Sequence, residues 1–372
     1  MFELVKLNSR RLILVFSILG STISVGYAQD SKPVLEHNNP HIWASVGWSQ
    51  LNLPDFAFTL RHQDRNEQGN FTPLKFLGRQ VDDDGASDDG HRIDFGFNGL
   101  VFNRGGDPVI YMGAKGFYAS YSSNSATGCD ERGTKLGNSP DLPGSTCTFI
   151  PLTQDADLPN TYQIGASEHT NGRVKRDVTN WGAAIEASFN DREKQPVALK
   201  FGASYKAIDQ DINYHVTGPH WGTVNTTGSA TYYESLQTGY WGGYIGVEGE
   251  VPLGSGISLG LDGTAGVYYA KTNYSGRYDY NMFLQNATEL DLSDDDVSFI
   301  ATMKVELKKK FKHFNISAFA LGEYYSYAPK VIYKSNDLSN GGGAFGDADK
   351  THISSDDAWG FTGGVRASVP LN

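Results

Sequence analysis

Residues 181–206 read WGAAIEASFNDREKQPVALKFGASYK, and this stretch decides the fold. Trp181, Ala183, Ile185, Ala187 and Phe189 alternate with Gly182, Ala184, Glu186, Ser188 and Asn190. After the charged turn 191–196, Val197, Leu199, Phe201, Ala203 and Tyr205 alternate with Ala198, Lys200, Gly202, Ser204 and Lys206. Successive side chains on a strand point to opposite faces, so the hairpin has one apolar face tipped with aromatic rings and one that is polar or tiny. A soluble sandwich can produce one such hairpin. A run of long ones, aromatic-tipped and joined by short turns, points to a barrel that spans a membrane.

The pattern recurs on both sides of that hairpin. Upstream, Ile42 to Trp48, Ile93 to Val101 and Val109 to about Tyr121 alternate in the same way. Downstream, Trp241 to Val251 turns through 252–256 into Ile257 to Tyr269, and Val297 to Leu307 turns through 308–313 into Phe314 to Ala320. Trp359 to Leu371 gives the last strand. The connections alternate between short turns, near 103–108, 191–196, 252–256 and 308–313, and long polar links, near 51–91, 122–172, 208–238, 272–294 and 328–356. The expectation is an all-β, antiparallel up-and-down transmembrane barrel of ten strands. Twelve strands keep the same parity, because 56–60 and 71–77 supply a further hairpin inside the first long link.

The first 28 residues read as a cleaved signal peptide: Lys6, Arg10 and Arg11 precede the apolar run 12–25, and Gly26-Tyr27-Ala28 offers a small-residue cleavage site. That run is shorter than the ~18–20 residues of a spanning helix. Residues 29–40 read as a flexible periplasmic lead-in and 41–372 as the barrel, with no Pro- or Ser-rich linker dividing it. A mean hydropathy of −0.40 suits a wall whose apolar half is diluted by a polar inner half. Gly 43, Tyr 20, Phe 20 and only Met 4 describe tight turns and aromatic girdles. Removing residues 1–28 leaves 28 bases against 41 acids, and so negative a chain lacks the basic footprint of a nucleic-acid binder. Cys129 and Cys147 are the only cysteines, and an isolated pair in an exported chain predicts a disulfide stapling the loop between them.

On the signal, the strand pattern and the terminal segment Trp359–Leu371, nearly all of the mature chain resembles bacterial outer-membrane β-barrel proteins of the porin-like kind. The resemblance implies the outer membrane of a Gram-negative bacterium, outer-membrane lipids and the barrel-assembly machinery as partners, short periplasmic turns and long extracellular loops. Such proteins usually end on an aromatic residue, whereas this chain ends Val369-Pro370-Leu371-Asn372.

With the apolar phase facing lipid, the other phase points into the lumen. It collects the acids Asp94, Glu186, Glu248, Glu250, Asp262, Glu306 and Glu323 and the bases Lys115, Lys200, Lys206, Lys304, Lys308 and Arg366. Tyr240, Tyr244, Tyr268 and Tyr325 point the same way. A balanced set of this kind fits either a paired network filling a narrow lumen or a water-filled pore of weak ionic selectivity.

Acidic clusters at Asp82–Asp84 with Asp88 and Asp89, at Asp294–Asp296, and at Asp356 and Asp357 fall in the long links, as a solvated rim or as divalent-cation ligands; none has EF-hand spacing. No cofactor is expected. No His-Glu-x-x-His occurs, and His215 and His220 beside Asp209 and Asp211 form a conceivable acid–base group by chance proximity, so the chain reads as a non-enzyme. The functional expectation is porin-like passive diffusion of small polar solutes. The alternatives are a non-conducting surface, adhesion or structural barrel, and a barrel-borne hydrolase.

Overall fold

The computed structural model describes residues 40–54, 59–63, 75–78, 88–104, 107–128, 146–149, 171–189, 197–219, 227–280, 288–332 and 352–371. The signal segment, nearly all of the lead-in, Cys129, the side chain of Cys147, Asp82–Asp84 and His220 lie outside the described residues, and so does the predicted disulfide.

The described chain is all strand and turn. In order the strands are β1 (His41–Asn52), β2 (Thr59–Gln63), β3 (Lys75–Gly78), β4 (Asp88–Arg104) and β5 (Asp107–Gly128). Next come β6 (Thr146–Phe149), β7 (Asn171–Phe189), β8 (Val197–Pro219) and β9 (Thr227–Gly254). The last four are β10 (Ile257–Tyr280), β11 (Thr288–Lys310), β12 (Asn315–Ile332) and β13 (His352–Pro370). Ten of them close into an antiparallel up-and-down barrel in the order β1-β13-β12-β11-β10-β9-β8-β7-β5-β4. Closure falls on β1, where Val46 pairs with Val365 of β13 on one side and Ile93 of β4 on the other. At the foot of this seam Leu371 N donates to Pro40 O at 2.6 Å. The extra hairpin foreseen as two further wall strands does form, as β2 and β3. It pairs with β6 in a separate three-stranded sheet, so the barrel has ten strands.

The outer face explains why this barrel sits in lipid. Ile245 is 67% exposed, Leu199 66% and Ile185 64%, an inversion of soluble burial that repeats on every wall strand. Above this band runs an aromatic belt in which Trp181 meets Tyr205 (5.1 Å between ring centroids), Tyr205 meets Trp241 (5.0 Å) and Tyr324 meets Trp359 (4.5 Å). Below it Phe189 stacks on Phe201 at 5.0 Å and Phe311 on Phe314 at 4.8 Å. From Trp241 to Val251 the outward residues cover the ~9–11 positions a tilted strand needs to cross the hydrocarbon. On the short-turn side Gly254, Ser255 and Gly256 take φ of 95°, 52° and 70°, and the two glycines adopt that left-handed backbone without strain.

The strands run well past the belt, farther than the outward apolar residues of the sequence mark them. Much of the links placed at 208–238, 272–294 and 328–356 is strand: β8 reaches Pro219, β9 begins at Thr227, β10 reaches Tyr280 and β11 begins at Thr288. The reason is a reversal of the alternation at the belt. On β10 the outward series passes from Val267 and Tyr269 to exposed Lys271, Asn273 and Ser275, while the inward series passes to buried Tyr274. On β9 inward Leu236 is 2% exposed. Water replaces lipid outside, so the apolar side chains move to the inside, and a search for apolar outward residues reads the segment as a loop. The acidic clusters follow the same correction. Asp88 and Asp89 belong to β4, Asp294–Asp296 to β11, and Asp356 and Asp357 to β13, on strand extensions rather than in links.

One seam departs from regular pairing. The β11–β12 ladder stops at Ile300↔Tyr325, and the β12–β13 ladder shifts register between Tyr325 and Ala328. Phe299 N instead donates to Ser326 Oγ at 2.8 Å. Tyr327 within the shift and Ala328 and Val331 beyond it are buried, and Val331 clusters with Leu236, Tyr274 and Leu290 of β9, β10 and β11. The irregularity therefore turns the tip of β12 onto the inner faces of its neighbours.

Candidate functional site in the barrel lumen

Every lumenal side chain singled out from alternation lies on the inner face, and the structure joins them into a graded interior. Within the membrane band there is a polar chamber of about 440 Å³. Its upper wall is built by β4, β8 and β12. Arg92 forms an ion pair with Glu323 and holds Asp94 at 2.8 Å, Lys206 reaches Glu323 at 3.2 Å, and Ser45 Oγ donates to Asp94 at 3.1 Å. The Arg92 guanidinium lies 4.1 Å from the centre of the Phe117 ring. Across the chamber Lys115 pairs with Glu186 at 2.8 Å and Lys200 with Asp262 at 2.5 Å, while Tyr244 OH donates to Glu186 at 2.9 Å. Toward the short turns Lys304 and Arg366 share Glu306 at 2.9 and 3.2 Å, and Lys308 pairs with Glu250 at 2.7 Å. Glu248 lines the same chamber.

Several of these positions depend on a missing side chain opposite them. Tyr268 lies across Gly242 and Gly266, where a Cβ would come within 2.6 and 2.9 Å of its ring, and Tyr268 OH hydrogen-bonds with Ser204 at 2.8 Å. A Cβ on Gly242 would also sit 2.2 Å from the Val267 carbonyl oxygen. Because both obstacles belong to the neighbouring wall strand β10, Gly242→Ala is expected to cost about 1–3 kcal/mol as overpacking. The check is urea unfolding of the refolded barrel followed by tryptophan fluorescence, with Gly322→Ala, which meets only one atom at 4.0 Å, as the near-silent control.

Above the chamber the interior changes character. Leu51, Leu53, Tyr121, Val178, Ile208, Tyr240, Ile300, Tyr325 and Tyr327 form one buried cluster on the inner faces of the wall. Tyr240 and Tyr325 are 0% exposed, their rings 5.7 Å apart, and Tyr240 OH donates to Tyr327 O at 2.9 Å. Tyr327 OH in turn donates to Asp294 at 3.2 Å, so a residue expected on an acidic rim is a partner inside the plug.

Alternation had missed two prominent side chains. Arg92 precedes Ile93, where the sequence reading began its strand, yet it shares the phase of Asp94 and brings the lumenal bases level with the acids. Trp43 shares the inward phase with Ser45 and lies under the Arg366 guanidinium at 4.0 Å. Of the acid–base group read from the sequence, Asp209, Asp211 and His215 lie along β8, and His220 lies outside the described residues. Asp209 accepts from Trp181 Nε1 at 3.4 Å on the outer face, and His215 Nδ1 lies 2.9 Å from Thr231 Oγ1. Among the described residues no three of His, Cys, Asp and Glu converge as metal ligands.

Closed antiparallel strands, a lipid-facing band between two aromatic girdles and a polar inner face make this chain a bacterial outer-membrane β-barrel, located in the outer membrane of a Gram-negative cell. Within that class it is similar to the outer membrane protease OmpT from Escherichia coli, at 10% identity and TM-score 0.45, covering 94% of this chain and 100% of that one. It is similar also to the translocator domain of the autotransporter NalP from Neisseria meningitidis, at 10% identity and TM-score 0.33, covering 98% and 94%. A third likeness is to the toluene transporter TodX from P. putida, at 10% identity and TM-score 0.27, covering 90% and 91%. No protein-family model and no curated protein matches the sequence.

Proposed function

We propose that this protein is a non-conducting outer-membrane barrel, an adhesion or structural protein that presents an elongated extracellular half at the cell surface. The observation that carries this reading is the buried cluster centred on Tyr240, Tyr325 and Tyr327, which lies in the lumen between the chamber and the extracellular end. An open pore keeps water along its axis, whereas these rings pack against one another and against aliphatic side chains from several strands. The extended strands add a second support: above the belt the wall is polar outside and filled inside by buried side chains, Leu236 and Tyr274 together with Asn180, Gln210 and Glu234, as in a water-soluble β-barrel standing on a membrane-embedded one.

The competing reading, porin-like diffusion of small polar solutes, draws on the charged chamber and on what barrels of this class commonly do. Planar-bilayer recording separates the two. The purified, heat-modifiable protein is expected to give no unitary steps even at high loading in molar potassium chloride. Stable steps of uniform size would overturn the closed reading in favour of the pore.

A further inference from the structure

The lower part of the chamber has donors to spare and acceptors already engaged. We infer that it is a binding site for a small oxyanion-bearing solute, a carboxylate or a phosphate, that enters from the periplasmic side. The side of entry rests on the closed-lumen reading above; the binding chemistry does not.

Position comes first. The chamber reaches His41 at the start of β1, Lys310 and Lys312 beside the short 311–314 turn, and Ser368 near the end of β13. Short turns mark the periplasmic rim of this class. At the other end the chamber meets the tyrosine cluster. A volume of about 440 Å³ lies within the ~300–1,000 Å³ range of small-molecule sites.

The hydrogen-bond inventory then fixes the sign of the ligand. Glu306 accepts from Ser317 at 2.5 Å, Lys304 at 2.9 Å and Arg366 at 3.2 Å. Glu250 accepts from Ser258 at 2.6 Å and Lys308 at 2.7 Å. The lower lining holds the bases Lys304, Lys308, Lys310, Lys312 and Arg366 against the acids Glu248, Glu250, Asp262 and Glu306, a small positive excess in a protein whose net charge is −11. Two further donors are buried without an acceptor among the described residues: Arg366 Nε and Trp43 Nε1, the latter on a side chain 8% exposed. They lie together, with the guanidinium carbon 4.0 Å from the centre of the indole ring. Gly96 leaves room for that ring, since a Cβ there would come within 2.5 Å of Trp43 Cζ2 and 2.8 Å of Nε1, so the donor edge lies along the wall beside Gly96.

Buried donors are normally satisfied, and a site lined with them is incomplete without an acceptor. A cationic or neutral solute adds no charge-matched acceptor. A carboxylate or phosphate does, and guanidinium and ammonium groups recognise both through charge-assisted hydrogen bonds. The positive rim would also concentrate anions at the periplasmic entrance.

The test is isothermal titration of the refolded full barrel in nonionic detergent at low salt, with succinate and inorganic phosphate as probes and choline as the cationic control. Saturable binding of either anion, with none of choline, is expected, and which anion binds tells carboxylate from phosphate. Arg366→Gln should weaken binding about tenfold, the loss of one charge-assisted contact. Trp43→Phe, which keeps the ring and removes the donor, should weaken it several-fold, while Lys175→Gln, above the belt, should leave it unchanged. If Arg366→Gln does not refold, Trp43→Phe and Lys304→Gln carry the same comparison. Absence of saturable binding, equal binding of choline, or wild-type affinity in the refolded variants would overturn the site. Anion binding by a protein that also conducts in bilayers would retain the site and remove only the closed lumen.

Discussion

Opening the plug should turn a silent barrel into a conducting one. The proposed variant carries Tyr240→Gly, Tyr325→Gly and Tyr327→Gly and replaces residues 329–355, the upper β12–β13 hairpin, by a two-residue turn. The three rings fill the lumen just above the chamber, and Val331 of the removed hairpin joins Leu236, Tyr274 and Leu290 in the layer above them. Taking away the rings alone would leave that second layer in place, which is why the hairpin tip must go too. The membrane-embedded ladder from Asn315↔Ser368 to Tyr324↔Trp359 is retained, so the wall can still close. Large-to-small changes in a core cost about 3–5 kcal/mol for each aromatic ring, and the variant should therefore unfold at lower urea than the parent. Planar-bilayer recording should show discrete steps for the variant against silence for the parent. A variant that keeps its heat-modifiable mobility yet stays silent would mean that something other than this plug closes the lumen.

What the sequence made legible follows the physics of alternation. Where lipid lies outside, each strand announces both faces, so the hairpin at 181–206 defines the wall, and every lumenal residue drawn from the opposite phase, from Asp94 to Arg366, is found on the inner face. Above the belt the same alternation continues with its faces exchanged, and segments such as 227–240 lose the apolar outward signal while remaining strand. The belt residues Trp181, Tyr205, Trp241 and Tyr269 were the visible clue, because rings of this kind mark the membrane boundary. Which charges pair is another matter. Arg92 and Glu323 are separated by 231 positions along the chain, and their meeting depends on barrel closure and on where each strand sits around the ring. The plug was half legible for a related reason: Tyr240 and Tyr325 carry the inward phase, which Tyr327 continues two residues on, but which rings meet across the lumen depends on barrel closure and on the register shift between Tyr325 and Ala328.

The Arg92–Glu323 pair gives the other large expected effect, and it tests whether the upper chamber wall is dry. Glu323 has a side chain 6% exposed and serves two cations, Arg92 and Lys206, while Arg92 also holds Asp94. Glu323→Leu would leave one guanidinium with a single carboxylate and one ammonium with none, both away from bulk water. Breaking a buried pair on one side costs about 3–5 kcal/mol, because the cost is the stranded charge rather than the lost attraction. Replacing the whole group is a different matter, since a matched set of buried charges exchanged for similar volumes is often neutral or stabilising. The quadruple variant Arg92→Met, Asp94→Asn, Lys206→Met and Glu323→Leu should therefore recover most of the stability that Glu323→Leu loses. Urea unfolding of refolded protein, read by tryptophan fluorescence, distinguishes the two: a large drop for the single change and a small one for the quadruple. Equal, small drops in both would show that water already screens these charges, and an open, hydrated lumen would then be the better description of the barrel at this level.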